Sequence, residues 1–216
     1  MDAIILAGGK GNRMEYDLPK PLVPVKGKAI LAHQLDYLAK FKEIDRIILS
    51  LGHRANEIID FIKENYSDKK KLIEFSVEKE PVGTGGAIKL ALKDFGQSEF
   101  TLVLNCDDIT DLDISKLIKQ GENTICVSHP RLPFGLVEEK NGFAVFKEKP
   151  ILDEWVSIGW YLFDKNELLK VLPAAGSLEY EVFPKTKFRL FKHLGFWKAL
   201  NTKKDILEFE DLDIKL

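Results

Sequence analysis

The chain has 216 residues, 45% of them apolar, enough to bury a sizeable core without disulfide or metal staples. Its 32 basic and 34 acidic residues leave a net charge of −2, which argues against a nucleic-acid binder driven by bulk charge. Cys106 and Cys126 form no CxxC and no Cys/His cluster, Met1-Asp2-Ala3 lacks the basic start of a secretion signal, and no apolar run approaches about 18 residues. A reduced, cytoplasmic protein outside the membrane is expected.

Ala3 to Ala7 is a continuous apolar run closed by Gly8-Gly9, which predicts a strand buried on both faces. A polar loop bearing glycine and proline follows to about Lys28. Ile30, Leu31, Leu35 and Leu38 recur at helical spacing, and Arg46 to Leu51 reads as a second strand. Ala55, Ile58, Ile59, Ile62 and Tyr66 mark one helix face; Leu72 to Val77 is a third strand. Ile88, Ala91, Leu92 and Phe95 mark a further helix before a strand at Thr101 to Leu104. After about residue 123 strands crowd together, at 124–128, 135–138, 143–147 and 156–163. Short helices are expected over 165–171, 178–185 and 203–210. This order predicts an α/β fold: a doubly wound, mostly parallel sheet with mixed strands in the second half, in one domain over residues 1–216. Lys69, Lys70 and Lys71 read as a solvated turn.

Function should gather at the carboxyl ends of the strands, where a doubly wound sheet binds its ligands. Leu6-Ala7-Gly8-Gly9-Lys10-Gly11-Asn12-Arg13-Met14 follows the first strand directly. Glycines there let backbone N–H groups approach phosphate oxygens, Arg13 can clamp an anion with two donors, and Lys20 adds a point charge. It is not a Walker A loop, since Gly11 follows Lys10, nor a Rossmann dinucleotide fingerprint, since Met14 takes the third glycine's place. Asp107 ends the fourth strand at the same edge, where one carboxylate plus phosphates and water can hold Mg²⁺. Asp113 is placed to cap a helix starting near Ile114. Asp108 could support a metal, and Cys106 reads as a small buried filler.

With Pro19-Lys20-Pro21-Leu22-Val23-Pro24, the glycine loop resembles the opening of the sugar-phosphate nucleotidylyltransferases. Glu78 to Ala87 (EKEPVGTGGA), Leu104-Asn105-Cys106-Asp107 and Glu148-Lys149-Pro150 extend the resemblance over nearly the whole chain. The 78–88 segment is most similar to enzymes that activate heptose 1-phosphate with GTP, while Gly195-Phe196-Trp197-Lys198 is nearer to a glucose-1-phosphate cytidylyltransferase. The resemblance implies a Rossmann-like, glycosyltransferase-A-type sheet. It also implies transfer of a nucleoside monophosphate from a nucleoside triphosphate to a sugar 1-phosphate, with Mg²⁺ as cofactor.

The attacking phosphate is already anionic, so such chemistry needs no general base; it needs two polyanions aligned and neutralised. By resemblance Arg13, Lys20 and Asp107 are catalytic. Leu6, Ala7, Gly8, Gly9, Gly11, Glu78, Gly83 and Thr84 bind the nucleotide, and Gly135, Glu148, Lys149 and Glu181 the sugar phosphate. Glu78 falls at the family's base contact. A carboxylate only accepts hydrogen bonds, and guanine offers two adjacent donors, N1–H and the N2 amine, so GTP ranks first.

The chain departs from the family at a second, late metal-binding aspartate. Ala199 takes its place in one register and Asn201 in another; an asparagine oxygen ligates Mg²⁺ without adding charge. Asp205 is the weaker substitute from the next helix, and Ser157 stands where an asparagine is usual near the sugar. These departures keep two alternatives open: transfer of CMP to a phosphocholine- or inositol-phosphate-like acceptor, and a catalytically silent regulatory relative. No hexapeptide repeat is present, so no appended acyltransferase is expected. Trp155, Trp160, Phe188, Phe191, Phe196 and Trp197 suit core packing, with a homodimer patch left open.

Overall fold

The first apolar run of the sequence becomes the middle of the sheet. In the computed structural model, which describes residues 1–11, 14, 16–67 and 71–214, β1 (Asp2–Leu6) is followed by a 3₁₀ turn (Lys20–Leu22) and a hairpin of β2 (Pro24–Val25) and β3 (Lys28–Ala29). Helix α1 (Ile30–Leu38), β4 (Arg46–Leu51), α2 (Ala55–Tyr66), β5 (Leu72–Val77), α3 (Gly83–Phe95) and β6 (Phe100–Asn105) complete the alternating half. Then come β7 (Asp108–Thr110), α4 (Ile114–Ile118), β8 (Thr124–Ser128), β9 (Leu136–Lys140), β10 (Phe143–Lys147) and β11 (Val156–Asp164). The last elements are α5 (Lys165–Val171), β12 (Arg189–Lys192), β13 (Trp197–Ala199) and α6 (Lys203–Glu210). Arg13, Lys69 and Lys70 lie outside the described residues.

Seven strands form the main sheet in the order β12-β8-β11-β6-β1-β4-β5. β1 pairs in parallel with β4 and β6, and β4 with β5, whereas β11 runs antiparallel to both β6 and β8. This is the expected mostly parallel first half with mixed strands added. Side chains alternate between two buried layers. Ala3, Ile5, Ile47, Leu49, Leu102, Leu104, Trp160 and Leu162 face α1, α2, α4 and α6. Ile4, Ile48, Val103, Tyr161 and Phe163 face α3, α5 and the segment around Leu178 and Val182. Burial on both sides explains why β1 is continuously apolar; each fully buried isoleucine there contributes about 1.5–3 kcal/mol.

Helix starts are chemically marked. Asp113 accepts from Lys116 N–H (3.0 Å) to cap α4, as its position predicts, and Asp164 accepts from Glu167 N–H (2.9 Å) to cap α5. Thr202 and Asp205 form a reciprocal capping box on α6.

Several expectations need correction. The helix expected over 178–185 is one wide π-type turn (Leu178–Val182) followed by a 3₁₀ turn (Phe183–Lys185). Pro184 has no N–H to continue an α-helical ladder. The strand expected to begin at Gly135 begins at Leu136 instead. A Cβ at residue 135 would overlap the Phe146 ring of the paired strand, so Gly135 serves a close packing contact. The polar loop contains the β2–β3 hairpin, whose turn residues Lys26 (φ 47) and Gly27 (φ 74) are both left-handed. Strands β7, β12 and β13, of three or four residues, are too short to show a period.

Internal packing accounts for the late aromatics: Trp160 is fully buried, Phe188 meets Phe163 and Phe183 edge-on, Phe196 packs on Phe209, and Trp155 lies against His129. Among the described residues no helix is long and apolar enough to cross a membrane.

Candidate active site

The carboxyl ends of β1, β4, β5 and β6 open onto one edge, and two adjoining cavities of about 540 Å³ each lie there. Both are lined by Leu6, Gly9, Lys10, Thr84 and Asp107. The backbone just beyond the strands is tied down. Ala7 N–H donates to Ser50 O (2.9 Å), His53 N–H to Gly8 O (3.1 Å) and Glu78 N–H to Leu51 O (2.9 Å). The three strand ends therefore hold fixed positions around the glycine loop.

At the second cavity the Lys20 ammonium forms an ion pair with Asp107 Oδ2 and donates to Asn201 Oδ1 (3.2 Å). Three elements supply this cluster. Pro19 and Pro21 preset the 3₁₀ turn that carries Lys20. A Cβ on left-handed Gly11 (φ +63) would stand 2.7 Å from Lys20 Cβ, so that glycine is what lets the loop lie against the lysine. Asp107 sits in the turn between β6 and β7, which buried donors pin from below. Gln34 Nε2 donates to Cys106 O (3.1 Å) and Asp108 O (2.9 Å), and Trp160 Nε1 donates to Asp108 O (3.0 Å).

The pairing of β13 with β7 places the late segment. Ala199 pairs with Asp108, Leu200 N–H donates to Asp107 O (2.8 Å), and the chain then delivers Asn201 to the cavity. Of the two registers left open by the sequence, the structure brings Asn201 to Asp107. Asp205 is committed elsewhere: its Oδ2 accepts from Asn201 N–H, Thr202 N–H and the Thr202 hydroxyl.

The Asp108 carboxylate has other partners. It is buried and accepts from Asn105 Nδ2 (3.0 Å) and Trp197 Nε1 (2.9 Å). Desolvation, with the Asp107 charge second, raises its carboxyl to about 7. Burial likewise pushes the Cys106 thiol up, which suits a filler and not a nucleophile.

The first cavity extends from Asp107 and Asn105 past Thr84 to Glu78, Gly52 and His53. Glu78 Oε2 accepts Val82 N–H (3.2 Å), so its carboxylate is held at the cavity wall. Gly83 (φ +72) opens α3 with no room for a side chain: a Cβ would stand 2.6 Å from Gly176 O. Thr84 Oγ1 accepts Leu178 N–H (2.8 Å) and donates to Glu179 Oε2 (3.3 Å), binding α3 to the wide turn.

The residues expected at the sugar phosphate are not gathered in the same way. Neither cavity is lined by Gly135, Glu148, Lys149 or Glu181. Glu148 is exposed on the hairpin side, and left-handed Lys149 (φ 42) reaches Glu208 of α6 at 3.7 Å. Glu181 packs against Gly176, where a Cβ would overlap its carboxylate. Gly52 and His53 line the cavity without having been singled out in the sequence, and Asn105 entered only as part of the 104–107 motif. Gly52-His53 directly follows the second strand, so the strand-end rule alone could have found that pair.

This site stands in a known lineage. The family model for nucleotidyl transferases matches residues 2–183, and the chain belongs to the nucleotidyl transferase family. Mannose-1-phosphate guanyltransferase of Aspergillus oryzae is 33% identical, over 96% of this chain and 62% of the fungal protein. The chain thus spans about three fifths of the length of its fungal relatives. D-glycero-alpha-D-manno-heptose 1-phosphate guanylyltransferase of Campylobacter jejuni is 37% identical over 77% of each chain. The crystal structure of HddC from Yersinia pseudotuberculosis complexed with GMP-PN aligns at a TM-score of 0.78 and 27% identity, over 97% of this chain and 98% of that one.

Proposed function

We propose that the protein is a guanylyltransferase that joins GTP and a sugar 1-phosphate into a GDP-sugar with release of pyrophosphate. The observation that carries this reading is the Lys20–Asp107–Asn201 cluster at the foot of the glycine loop, in a chain whose relatives are guanylyltransferases. Both of those relatives are named for sugars related to mannose, so an acceptor of manno configuration, a hexose or heptose 1-phosphate, is favoured.

A phosphate oxygen of the acceptor forms a bond to the α-phosphorus of GTP while the bond from that phosphorus to the bridging oxygen breaks, and pyrophosphate leaves. No proton need be removed from the nucleophile. What the chain must provide is alignment and positive potential. Backbone N–H groups of Gly8, Gly9 and Gly11 cradle the triphosphate, and Arg13 meets the departing pyrophosphate. Lys20 supports the charge of the transferring phosphoryl group. Lys149 leaves Glu208 to meet the acceptor phosphate, with Glu148, Glu181 and the backbone at Gly135 toward the sugar. Glu78 accepts the N1–H and N2 amine of guanine.

Asp107 and Asn201 direct two oxygens at one cationic group, here the Lys20 ammonium, and such a pair suits a hard divalent cation that keeps water and phosphate ligands. Asp107 and Asn201 would hold Mg²⁺, which when bound neutralises phosphate charge. Two free, buried cysteines agree with a reducing cytoplasmic setting.

The test is pyrophosphate release with Mg²⁺ across GTP, ATP, CTP and dTTP, each with mannose 1-phosphate, manno-heptose 1-phosphate and glucose 1-phosphate. Turnover that requires GTP and a manno-configured acceptor supports the proposal. A CTP or dTTP preference refutes the base assignment. Binding of GTP without turnover on any acceptor refutes the enzymatic reading in favour of a silent relative.

A further inference from the structure

Gly52 lies beside Gly8 of the glycine loop, away from the Lys20 cluster, and sits where the proposed guanine contact is set. It follows β4, between Gly8 of the first strand end and Glu78 of the third. Its backbone is not left-handed, so conformational freedom does not explain a glycine here. Space does. A Cβ on residue 52 would overlap Glu78 Oε1, stand 3.1 Å from Glu78 Cδ and 3.0 Å from Gly8 O. The Glu78 carboxylate occupies the space a side chain at 52 would take, and its other oxygen accepts Val82 N–H at 3.2 Å. Gly8 contributes to the same floor: a Cβ there would stand 3.4 Å from Glu78 Oε1 and 3.1 Å from Gly52 N.

We infer that Gly52 is a positioning residue for base selection: the absent side chain lets the Glu78 carboxylate lie in the one orientation that presents its free lone pairs to a purine carrying two adjacent donors. The inference rests on the reading of Glu78 as the guanine contact. Any side chain at 52 turns the carboxylate out of its Val82 bond and away from the base. Discrimination by a carboxylate is geometric, because two donors must be met at once; a displaced carboxylate keeps its charge and loses its selectivity. The phosphate cluster around Lys20 is supplied by other elements and should not respond.

The test is GTP and ITP affinity with Mg²⁺ by calorimetry, without acceptor, for wild type, Gly52→Ala, Glu78→Ala and the double variant. ITP lacks only the N2 amine, so the GTP/ITP ratio reports the paired contact. Wild type should bind GTP at least tenfold more tightly than ITP. Gly52→Ala should lose tenfold or more in GTP affinity and less than threefold in ITP affinity. In the Glu78→Ala background the same substitution should change GTP affinity less than twofold, since a residue acting through Glu78 has nothing left to position. Equal losses for GTP and ITP, or an undiminished effect in the Glu78→Ala background, overturn the inference. A Glu78→Ala variant with an unchanged GTP/ITP ratio overturns the guanine reading itself. Should Gly52→Ala not fold, the double variant must fold, because the Glu78 carboxylate, the group a Cβ at 52 would meet first, is then gone; a double variant that also fails overturns the inference.

Discussion

Gly159 offers the sharpest test of how the buried Asp108 carboxylate is held. It lies inside β11 at the irregularity between Ser157 and Tyr161, with φ +71. Replacing it with alanine has two separable costs. An L-residue in the left-handed region costs about 1–2 kcal/mol. The new Cβ would also overlap Asp108 Oδ2 and Asn105 Nδ2, forcing apart a 3.0 Å hydrogen bond to a buried carboxylate. Above about pH 7, where Asp108 is charged, losing that bond costs about 1.5–3 kcal/mol. The sum is about 2.5–5 kcal/mol, or roughly 5–20 °C in Tm for a chain of this size. Gly121 supplies the control: its φ is +62 and nothing lies within 4 Å of its Cβ position, so Gly121→Ala carries the backbone cost alone. Urea denaturation of both variants against wild type isolates the contact. If Gly159→Ala is less than about 1 kcal/mol more destabilising than Gly121→Ala, the packing of Gly159 on Asp108 and Asn105 is not what constrains that position.

Lys20→Ala should lower kcat by about 10²–10³-fold with a smaller change in GTP affinity, because the ammonium acts on charge that develops during transfer; steady-state kinetics with Kd measured separately checks this, and a loss confined to affinity contradicts the assigned role. Asn201→Asp adds a carboxylate beside Asp107, about 2 kcal/mol of attraction for a divalent ion at about 4 Å in water, so Mn²⁺ binding followed by electron paramagnetic resonance should tighten by roughly 30-fold; unchanged binding would remove Asn201 from the metal site. Asp108 is protonated more readily in the folded chain, at about 7, than a carboxyl in the unfolded chain, so its contribution is fully present below about pH 4 and is lost as pH rises through 7. Asp108→Asn should therefore gain stability relative to wild type between pH 4.5 and 8, by at most about 4 kcal/mol, in denaturation without divalent metal; a pH-independent difference would show that Asp108 does not carry the shift. Glu208→Gln should change stability by less than about 1 kcal/mol, since its pairs with Lys149 and Lys198 are partly exposed, while releasing Lys149 and lowering KM for the sugar phosphate; a raised KM would instead make Glu208 the residue that positions Lys149.

Local physics made much of this protein legible in its sequence. Ala3 to Ala7 could only be a strand buried on two faces, because nothing polar interrupts it, and the glycines after it mark where a backbone must approach a ligand. Asp113 announced a helix start because its short carboxylate can reach a free N–H one turn on. Those features depend on neighbours within a few residues. Which late residue joins Asp107 was not of that kind. The choice between Ala199 and Asn201 turned on the register of β13 against β7, a pairing of three-residue strands about ninety positions apart that no periodicity reveals. The need for glycine at 52 was equally hidden, since it arises from a carboxylate on another strand folding back across it. The sequence by itself determined the longer strands and the edge at which the carboxyl ends of the parallel ones meet, through burial and backbone chemistry acting locally. The tertiary structure alone decided which oxygens meet Lys20 and which glycine makes room for Glu78, because both follow from distances between segments that the chain brings together only when the sheet is complete.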